Sequence, residues 1–436
     1  MRAPVAAWGR LSHAVHATVA LRDRRTAHAA IGDVAARPGL AHGAGRSYGD
    51  QALNAGGTLW LTRGLDRFIA FDAATGVLRC EAGVTLAQIT AVALPRGWFL
   101  PVTPGTQFAT IGGAVANDVH GKNHHARGTL GEHVTALTLW RTDGEVIACG
   151  PAERPEWFAA TVGGMGLTGV IADVTVRLRP VPGGWIDTLT EPFESLDEFF
   201  ALSARHTAAW EYSVAWIDCL RSPTGATRGV FFCGNHAARA EPLPAVRPKS
   251  AALLPPLPWV NAATCRLFNA AYHRRARARA GAAVQPYTAF FYPLDGVLEW
   301  NRIYGRAGFY QYQCVVPEAV QQGATRELLG LIQASDTGSF LSVLKTFAAR
   351  PAVGLMSFPM AGTTLALDFP NRGDATRRLF ERLDAVVAAA GGRLYAAKDA
   401  AMPAALFRQG HPRLDEFMRY RDPGIASDLS RRLLGR

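Results

Sequence analysis

The chain has 436 residues, 49% of them apolar and 19% charged, which excludes a disordered or fibrous protein and predicts two domains rather than one core. Its formal charge of +11 favours an anionic partner such as a phosphate-bearing cofactor, an anionic lipid or nucleic acid; an arginine- and alanine-rich composition also arises from genomic base bias, so charge alone names no function. Cys80, Cys149, Cys219, Cys233, Cys265 and Cys314 stand far apart with no CxxC pair, arguing against a zinc knuckle or a disulfide scaffold and for buried free thiols in a reducing compartment.

The N-terminal "MRAPVAAWGRLSHAVHATVALRDRR" has no uninterrupted apolar stretch followed by a small-residue cleavage site, and no apolar run in the chain is long enough to span a bilayer. No signal peptide or transmembrane helix is expected, and the location reads as cytoplasmic or membrane-associated. From roughly residue 27 to 180 short strands alternate with glycine turns. "TLAQITAVALPRG" opens on a Thr85-x-x-Gln88 capping box, keeps Leu86, Ile89 and Ala93 on one face and stops at Pro95 and Gly97. "VTALTLWRTDGEVIA" predicts a hairpin, with Asp143-Gly144 at two positive-φ positions of a tight turn. "GVIADVTVRLRP" alternates Val174, Val176 and Leu178 toward a core and ends at Pro180. This is an α+β module.

Between about 185 and 390 aromatic strands dominate, interrupted by residues 250–281, where Leu and Trp stand beside Arg274, Arg275, Arg277 and Arg279 in what reads as an exposed loop. After residue 373 a helix carries Leu379, Phe380, Leu383, Val386 and Val387 at helical spacing, with Asp374 as its expected cap and Gly391 as its stop. A basic tail follows.

Two segments carry glycine where a backbone must approach something closely. "AHGAGRSYGDQALN", residues 41–54, places Gly43 and Gly45 where successive N–H groups form an anion-binding nest, with Arg46 and Ser47 adding donors. Its spacing is not that of the Rossmann fingerprint, so a structural turn and a phosphate loop both remain open. "PVTPGTQFATIGGAVANDVHGKNHHARG", residues 101–128, adds close-approach turns at Gly105 and at Thr110-Ile111-Gly112-Gly113, and surrounds His120, Lys122, Asn123, His124 and His125 with glycines. Zinc is the rival reading of these histidines, but no cysteine is near and the spacing is not that of a metal helix. Two phosphate-approach loops suit a long dinucleotide lying across one module, which points to FAD.

"GRSYGD", "PGT…TIGGAVANDVHGKNHH", "FFYPLDG…EWNRIYG", "GFYQYQ" and "RLYAAKD", in this order over nearly the whole chain, resemble the decaprenylphosphoryl-β-D-ribose 2′-oxidase family of vanillyl-alcohol-oxidase-type flavoproteins. The resemblance implies an α+β, two-domain FAD-binding fold of the PCMH type. Residues 1–184 and 392–436 would form the FAD domain, and 185–391 a substrate domain built on an antiparallel sheet. It implies non-covalent FAD, contacted by Ala41, His42, Gly43, Ala44, Gly45 and Arg46, by Ser47, Tyr48, Gly49, Asp50 and Gln51, and by Gly105, Thr110, Ile111, Gly112 and Gly113. Asn117, Asp118, Val119, His120, Ile171 and Tyr395 complete that set.

The same resemblance makes Lys398 a catalytic candidate, since an ammonium there would stabilise reduced flavin or pair with the substrate. It also places His120 and Lys122 near the isoalloxazine ring; whether His120, Lys398 or water takes the hydroxyl proton stays open. Gln311, Gln313 and Lys345 resemble residues that hold sugar hydroxyls and phosphate, with Tyr304 and Trp216 as pocket walls. The chain departs from the mycobacterial Trp-Asn-x-Cys pattern: Thr364 stands for the pocket asparagine and Ala366 for the cysteine that covalent inhibitors modify.

The implied reaction oxidises the 2′-hydroxyl of a polyprenylphosphoryl ribose, a separate NAD(P)H-dependent short-chain reductase completing the epimerisation. Residues 250–281 would rest at an anionic bilayer. No metal and no nucleic acid is implied. A soluble alditol or aldonolactone oxidase is the enzyme alternative, disfavoured on the aldonolactone side by the missing His-Trp-x-Lys motif. A flavin-free lipid- or nucleic-acid-binding protein is the alternative from another class, opposed by the glycine clusters and Lys398.

Overall fold

The computed structural model of the chain describes residues 2–32, 37–220, 227–239, 241–245, 249–250, 260–335 and 337–435. Three larger sheets organise it. The first, in spatial order, is Arg2–Pro4, Val15–Ala20, Thr58–Leu61 and Gly39–His42, the last three running parallel. The second is antiparallel: Phe68–Asp72, Val77–Glu81, Val170–Arg177, Val134–Trp140 and Val146–Cys149. The third, also antiparallel, has eight strands: Gly281–Pro286, Trp185–Phe193, Gly229–His236, Tyr212–Ile217, Ser342–Phe347, Gly362–Pro370, Phe309–Pro317 and Arg393–Leu394.

Helices Leu196–His206, Gln321–Ala334 and Asp374–Ala389 cover one face of the large sheet. Their apolar stripes, for example Phe199, Leu328, Leu329, Leu379 and Leu383, are buried with Phe231, Leu365 and Leu367 from the strands, which leaves the other face for the site. The same core runs through Leu40, Leu59 and Trp60 of the first sheet to Leu429 and Leu433 of the last helix. This is an α+β protein, as expected.

The helix Leu86–Ala93 carries the complete Thr85–Gln88 capping box, and Leu86, Ile89 and Ala93 are buried. Gly391 has φ 69°, the left-handed stop that the sequence required. All six cysteines are buried and free. Among the described residues no helix is long and apolar enough to cross a membrane.

Three expectations are corrected. In the hairpin only Gly144 has positive φ, at 90°; Asp143 instead accepts from the Glu145 amide at 3.0 Å, giving a longer loop closed by Arg141 N to Glu145 O at 2.9 Å. Asp374 is not the cap of its helix. Gly373, at φ 61°, occupies that position with no side-chain bond, and Asp374 sits in the first turn beside Arg377, where its charge suits the helix dipole. The presumed loop at 250–281 contains the helix Ala262–Arg277, capped by reciprocal Asn261 and Thr264 bonds, while residues 251–259 lie outside the described residues.

Candidate active site

The glycine segments and the open face of the large sheet enclose a cleft of about 530 Å³. Extended strands send alternate side chains to one face, so Gln311 and Gln313 reach the cleft from one strand and Thr364 and Ala366 from the next. Lys345 and Trp216 join them from Ser342–Phe347 and Tyr212–Ile217. Register sets them side by side: Lys345 is opposite Thr364, and Gln313 opposite Ala366.

The opposite wall is backbone. Gly45 has φ 62°, which a side chain would oppose. Gly43 packs so closely on the Thr110 turn that a Cβ would lie 2.6 Å from Thr110 Oγ1, and one on Gly112 would meet Ala82 Cβ at 2.7 Å. These contacts join two motifs far apart in the chain into one cradle. Arg46 stacks over Trp8 at 4.2 Å and Phe108 at 5.2 Å, yet its Nε is buried without a partner, as is Asn117 Oδ1. A cradle with a buried cationic donor and a buried carbonyl acceptor left over fits a dinucleotide, whose phosphates and rings need both.

Ala41, Gly43, Ala44, Gly45, Arg46, Ser47, Tyr48 and Gln51 line the cleft, together with Gly105, Thr110, Gly112, Gly113, Asn117, Val119, Ile171 and Tyr395. Five expected cofactor contacts lie behind it. His42 Nδ1 donates to Ala52 O at 2.8 Å, Asp50 pairs with Arg432, and Ile111 is in the core. A Cβ on Gly49 would lie 1.6 Å from Asp399 O, so the glycine permits contact between two loops. Asp118 accepts from Gly131 N at 2.9 Å and from the Ser357 hydroxyl at 2.5 Å, and burial pushes its carboxyl up to about 6. Tyr304 is not a cleft wall either: it is buried and stacked on Phe309 at 4.2 Å.

Of the histidine block, only His120 and Lys122 reach the cleft. Asn123 donates to Pro101 O at 2.9 Å, His125 donates to Trp210 O at 2.9 Å, and His124 packs on Phe347 at 4.4 Å with its imidazole pushed down to about 3 by burial. Three lysines converge. Lys122 Nζ donates to Phe291 O at 3.1 Å, Lys345 Nζ lies 3.3 Å from Gly121 O, and Lys398 Nζ rests 3.9 Å above the Tyr48 ring. Desolvation lowers Lys122 to about 8; desolvation and then the ammoniums of Lys122 and Lys398 lower Lys345 to about 7. Lys398 falls to about 8 by desolvation, against the attraction of Asp368.

Sequence reasoning passed over Asp368, which is fully buried, accepts from Gln311 Nε2 at 2.6 Å and is pushed up to about 7 by burial. The available signal was an aspartate inside the apolar run Leu365–Phe369 of its strand. It also passed over Arg432 in the basic tail, whose guanidinium holds both Asp50 and Asp399. Among the described residues no group of three or more His, Cys, Asp or Glu is placed to hold a metal ion.

Residues 17–150 match the FAD binding domain family. The chain is 37% identical to the decaprenylphosphoryl-β-D-ribose oxidase of Mycolicibacterium smegmatis, across 98% of this chain and 96% of that protein. It is 33% identical to an uncharacterised protein of Streptomyces coelicolor, across 80% of this chain and 100% of that one. A putative D-arabinono-1,4-lactone oxidase of Neurospora crassa is 31% identical, but across only 39% of this chain and 33% of that protein.

Proposed function

The chain belongs to the decaprenylphosphoryl-β-D-ribose oxidase family of FAD-dependent oxidoreductases, and we propose that it oxidises the 2′-hydroxyl of a polyprenylphosphoryl-β-D-ribose to the 2′-keto sugar. One observation carries this reading: two amides, Gln311 and Gln313, share a cleft with Lys122, Lys345 and Lys398 directly across from the glycine cradle. Amides orient sugar hydroxyls, and converging ammoniums select an anionic, phosphate-bearing sugar.

FAD, when bound, supplies the hydride acceptor. Arg46, Ser47, Asn117 and the glycine turns would hold it, and Tyr395, fixed by donating to Asn117 O at 2.9 Å, would support it from the C-terminal segment. Non-covalent binding is supported by the lining: among the described residues it contains no cysteine and, as its histidine, only His120, with both ring nitrogens engaged. We assign residues 1–184 and 392–436 to the FAD domain and 185–391 to the substrate domain, the C-terminal segment entering through Arg393–Leu394, which pairs onto the edge of the substrate sheet. The keto product would pass to a separate NAD(P)H-dependent short-chain reductase. Membrane contact is supported by the helix Ala262–Arg277, where Leu267 and Phe268 are 75% and 43% exposed near exposed Arg274 and Arg275. Each basic side chain at an anionic surface contributes about 1 kcal/mol.

The test is anaerobic addition of farnesylphosphoryl-ribose to the yellow holoenzyme. Bleaching of the flavin bands is expected. A flavin that keeps its colour with the lipid sugar but bleaches with a free alditol would sink the substrate assignment.

A further inference from the structure

Oxidation of a hydroxyl needs an acceptor for its proton, and the geometry points to Lys345 as that general base, with His120 as the residue that positions it. This inference rests on the function proposed above. His120, the histidine of the cleft, has no ring nitrogen to spare. Its Nδ1 lies 3.2 Å from Lys345 Nζ and its Nε2 3.0 Å from the Gln313 amide, while Phe347, Phe358 and Tyr395 pack around the ring. A base must touch the proton it takes, so His120 is kept from the substrate by its own partners.

The other two lysines differ from Lys345 in their partners. Lys122 bonds to Phe291 O, and Lys398 sits on the Tyr48 ring, a contact that favours its cation and is reinforced by Asp368. An ammonium has no lone pair with which to accept a proton. Lys345 has neighbours of the opposite effect: the ammoniums of Lys122 and Lys398 face it along with the neutral rings of His120 and His124, no carboxylate is among its electrostatic partners, and burial followed by the two ammoniums lowers it to about 7. A difference of partners of this kind, a carboxylate beside Lys398 and none beside Lys345, is how a site divides acid from base work.

The contacts of Lys345 then fix where its lone pair points. A neutral amine has two N–H bonds and one lone pair. With the N–H bonds directed at Gly121 O and His120 Nδ1, the remaining tetrahedral direction is left to the lone pair, which on this inference points into the cleft that Lys345 lines. When the 2′-hydroxyl is oxidised, its O–H bond breaks and the proton moves to Lys345 Nζ. The C2′–H bond would break, its hydrogen departing with the electron pair as the hydride that bound FAD accepts, and the C–O bond would become C=O. Lys345 ends as an ammonium with a third N–H donating to the new ketone oxygen.

This arrangement demands one tautomer of His120. Whenever Lys345 is an ammonium it can only donate, so Nδ1 must accept, and the ring proton must be on Nε2. The structure places Gln313 Nε2 3.0 Å from His120 Nε2 and 3.3 Å from Thr364 Oγ1, so this tautomer requires the amide turned by half a revolution, with Oε1 accepting from Nε2–H and from the Thr364 hydroxyl. Loss of the Lys345 proton needs no rearrangement of the network. In the opposite tautomer Nδ1–H would donate into the lone pair and leave Lys345 no base.

Two measurements decide the matter. The first, on ¹⁵N-histidine-labelled holoenzyme without substrate, reads the His120 tautomer by NMR and uses Lys345→Met to identify the coupled titration. The Nε2–H tautomer is expected, with its Nδ1 shift moving near pH 7 in the wild type and not in the variant; an Nδ1–H ring overturns the inference. The second is anaerobic flavin reduction by farnesylphosphoryl-ribose. The wild-type rate should rise through about pH 7, and both Lys345→Met and Lys345→Arg should lose roughly 10²–10⁴-fold in the rate of flavin reduction at saturating lipid sugar. A small primary amine should partly rescue Lys345→Met. A variant that retains flavin and reduces it at the wild-type rate overturns the base; a wild type that no lipid sugar reduces at any pH overturns the substrate reading instead, and the tautomer then decides on Lys345.

Discussion

Replacing Arg432 by Met should loosen the flavin site from a distance, because this residue of the last helix ties together the two loops that meet under Lys398. Its Nε and Nη2 donate to Asp50 at 2.8 and 2.9 Å, Nη2 also to Asp399 at 2.8 Å, and Nη1 to Met402 O at 2.6 Å. Those carboxylates belong to the loops joined by Tyr48 N to Ala397 O at 3.0 Å, with Lys398 Nζ lying on the Tyr48 ring. Removing one partner of a fully buried pair costs about 3–5 kcal/mol, since it strands a charge. Here Arg432 and Asp50 retain 27% and 21% side-chain exposure, so solvent screening reduces the expected loss to about 2–3 kcal/mol.

An unfolding entropy of about 2.1 cal/mol/K per residue amounts to roughly 0.9 kcal/mol/K for a chain of this length. The flavin-free variant should therefore melt about 2–3 °C lower. If about half of the loss falls on the cradle, flavin affinity drops roughly tenfold. Arg432→Lys keeps the charge without the fork and should fall between. Thermal melting by circular dichroism and a flavin-fluorescence titration read the two quantities separately. An unchanged flavin dissociation constant in Arg432→Met, alongside lower stability, would refute the coupling of the clamp to the site.

Gly49→Ala should yield protein with little bound flavin, because its Cβ would sit 1.6 Å from a backbone oxygen that has no side-chain freedom to move; a normal flavin-to-protein absorbance ratio would refute this. Native protein should be silent to thiol reagents, all six cysteines being buried, and should form no adduct with the nitroaromatic inhibitors that modify the family's cysteine. Ala366→Cys should create that adduct, and intact mass checks both statements. Asp118 titrates in the fold at about 6, above the ordinary carboxylate value of 3.8, so its ionisation opposes folding: the penalty is fully present above pH 6 and disappears as pH falls through 6 toward 4. Asp118→Asn should therefore gain stability relative to the wild type at pH 8 and lose that advantage near pH 4, measured by denaturant melts at both values.

What the sequence made legible was local chemistry. A capping box, a left-handed Gly391 and the close approaches at Gly43 and Gly112 are each decided within a few residues and appear where expected, whereas a Cβ on Gly105 would meet nothing. Errors arose where a local pattern had more than one solution. Asp-Gly suits two turn types, and Asp143 chose to bond its own backbone. Asp374 can cap or occupy a first turn, and Gly373 took the cap. Leu and Arg in one stretch looked like a loop, although Asn261 and Thr264 were present to start a helix.

The site shows the same limit at longer range. The sequence marks His120 as a plausible base because imidazole chemistry belongs to the residue alone. Whether its nitrogens are available depends on Gln313 and Lys345, which are 193 and 225 positions away and reach it only through the register of three antiparallel strands. The same register brings Asp368 opposite Gln311 and so fixes which end of that amide faces the carboxylate. A motif therefore marks the segments that border the cleft, while the fold decides which of their side chains enter it and the pairing of strands which of those keeps a free lone pair. That is why the most conspicuous histidine of the sequence becomes a support in the fold, and the proton-accepting role passes to a lysine with no motif of its own.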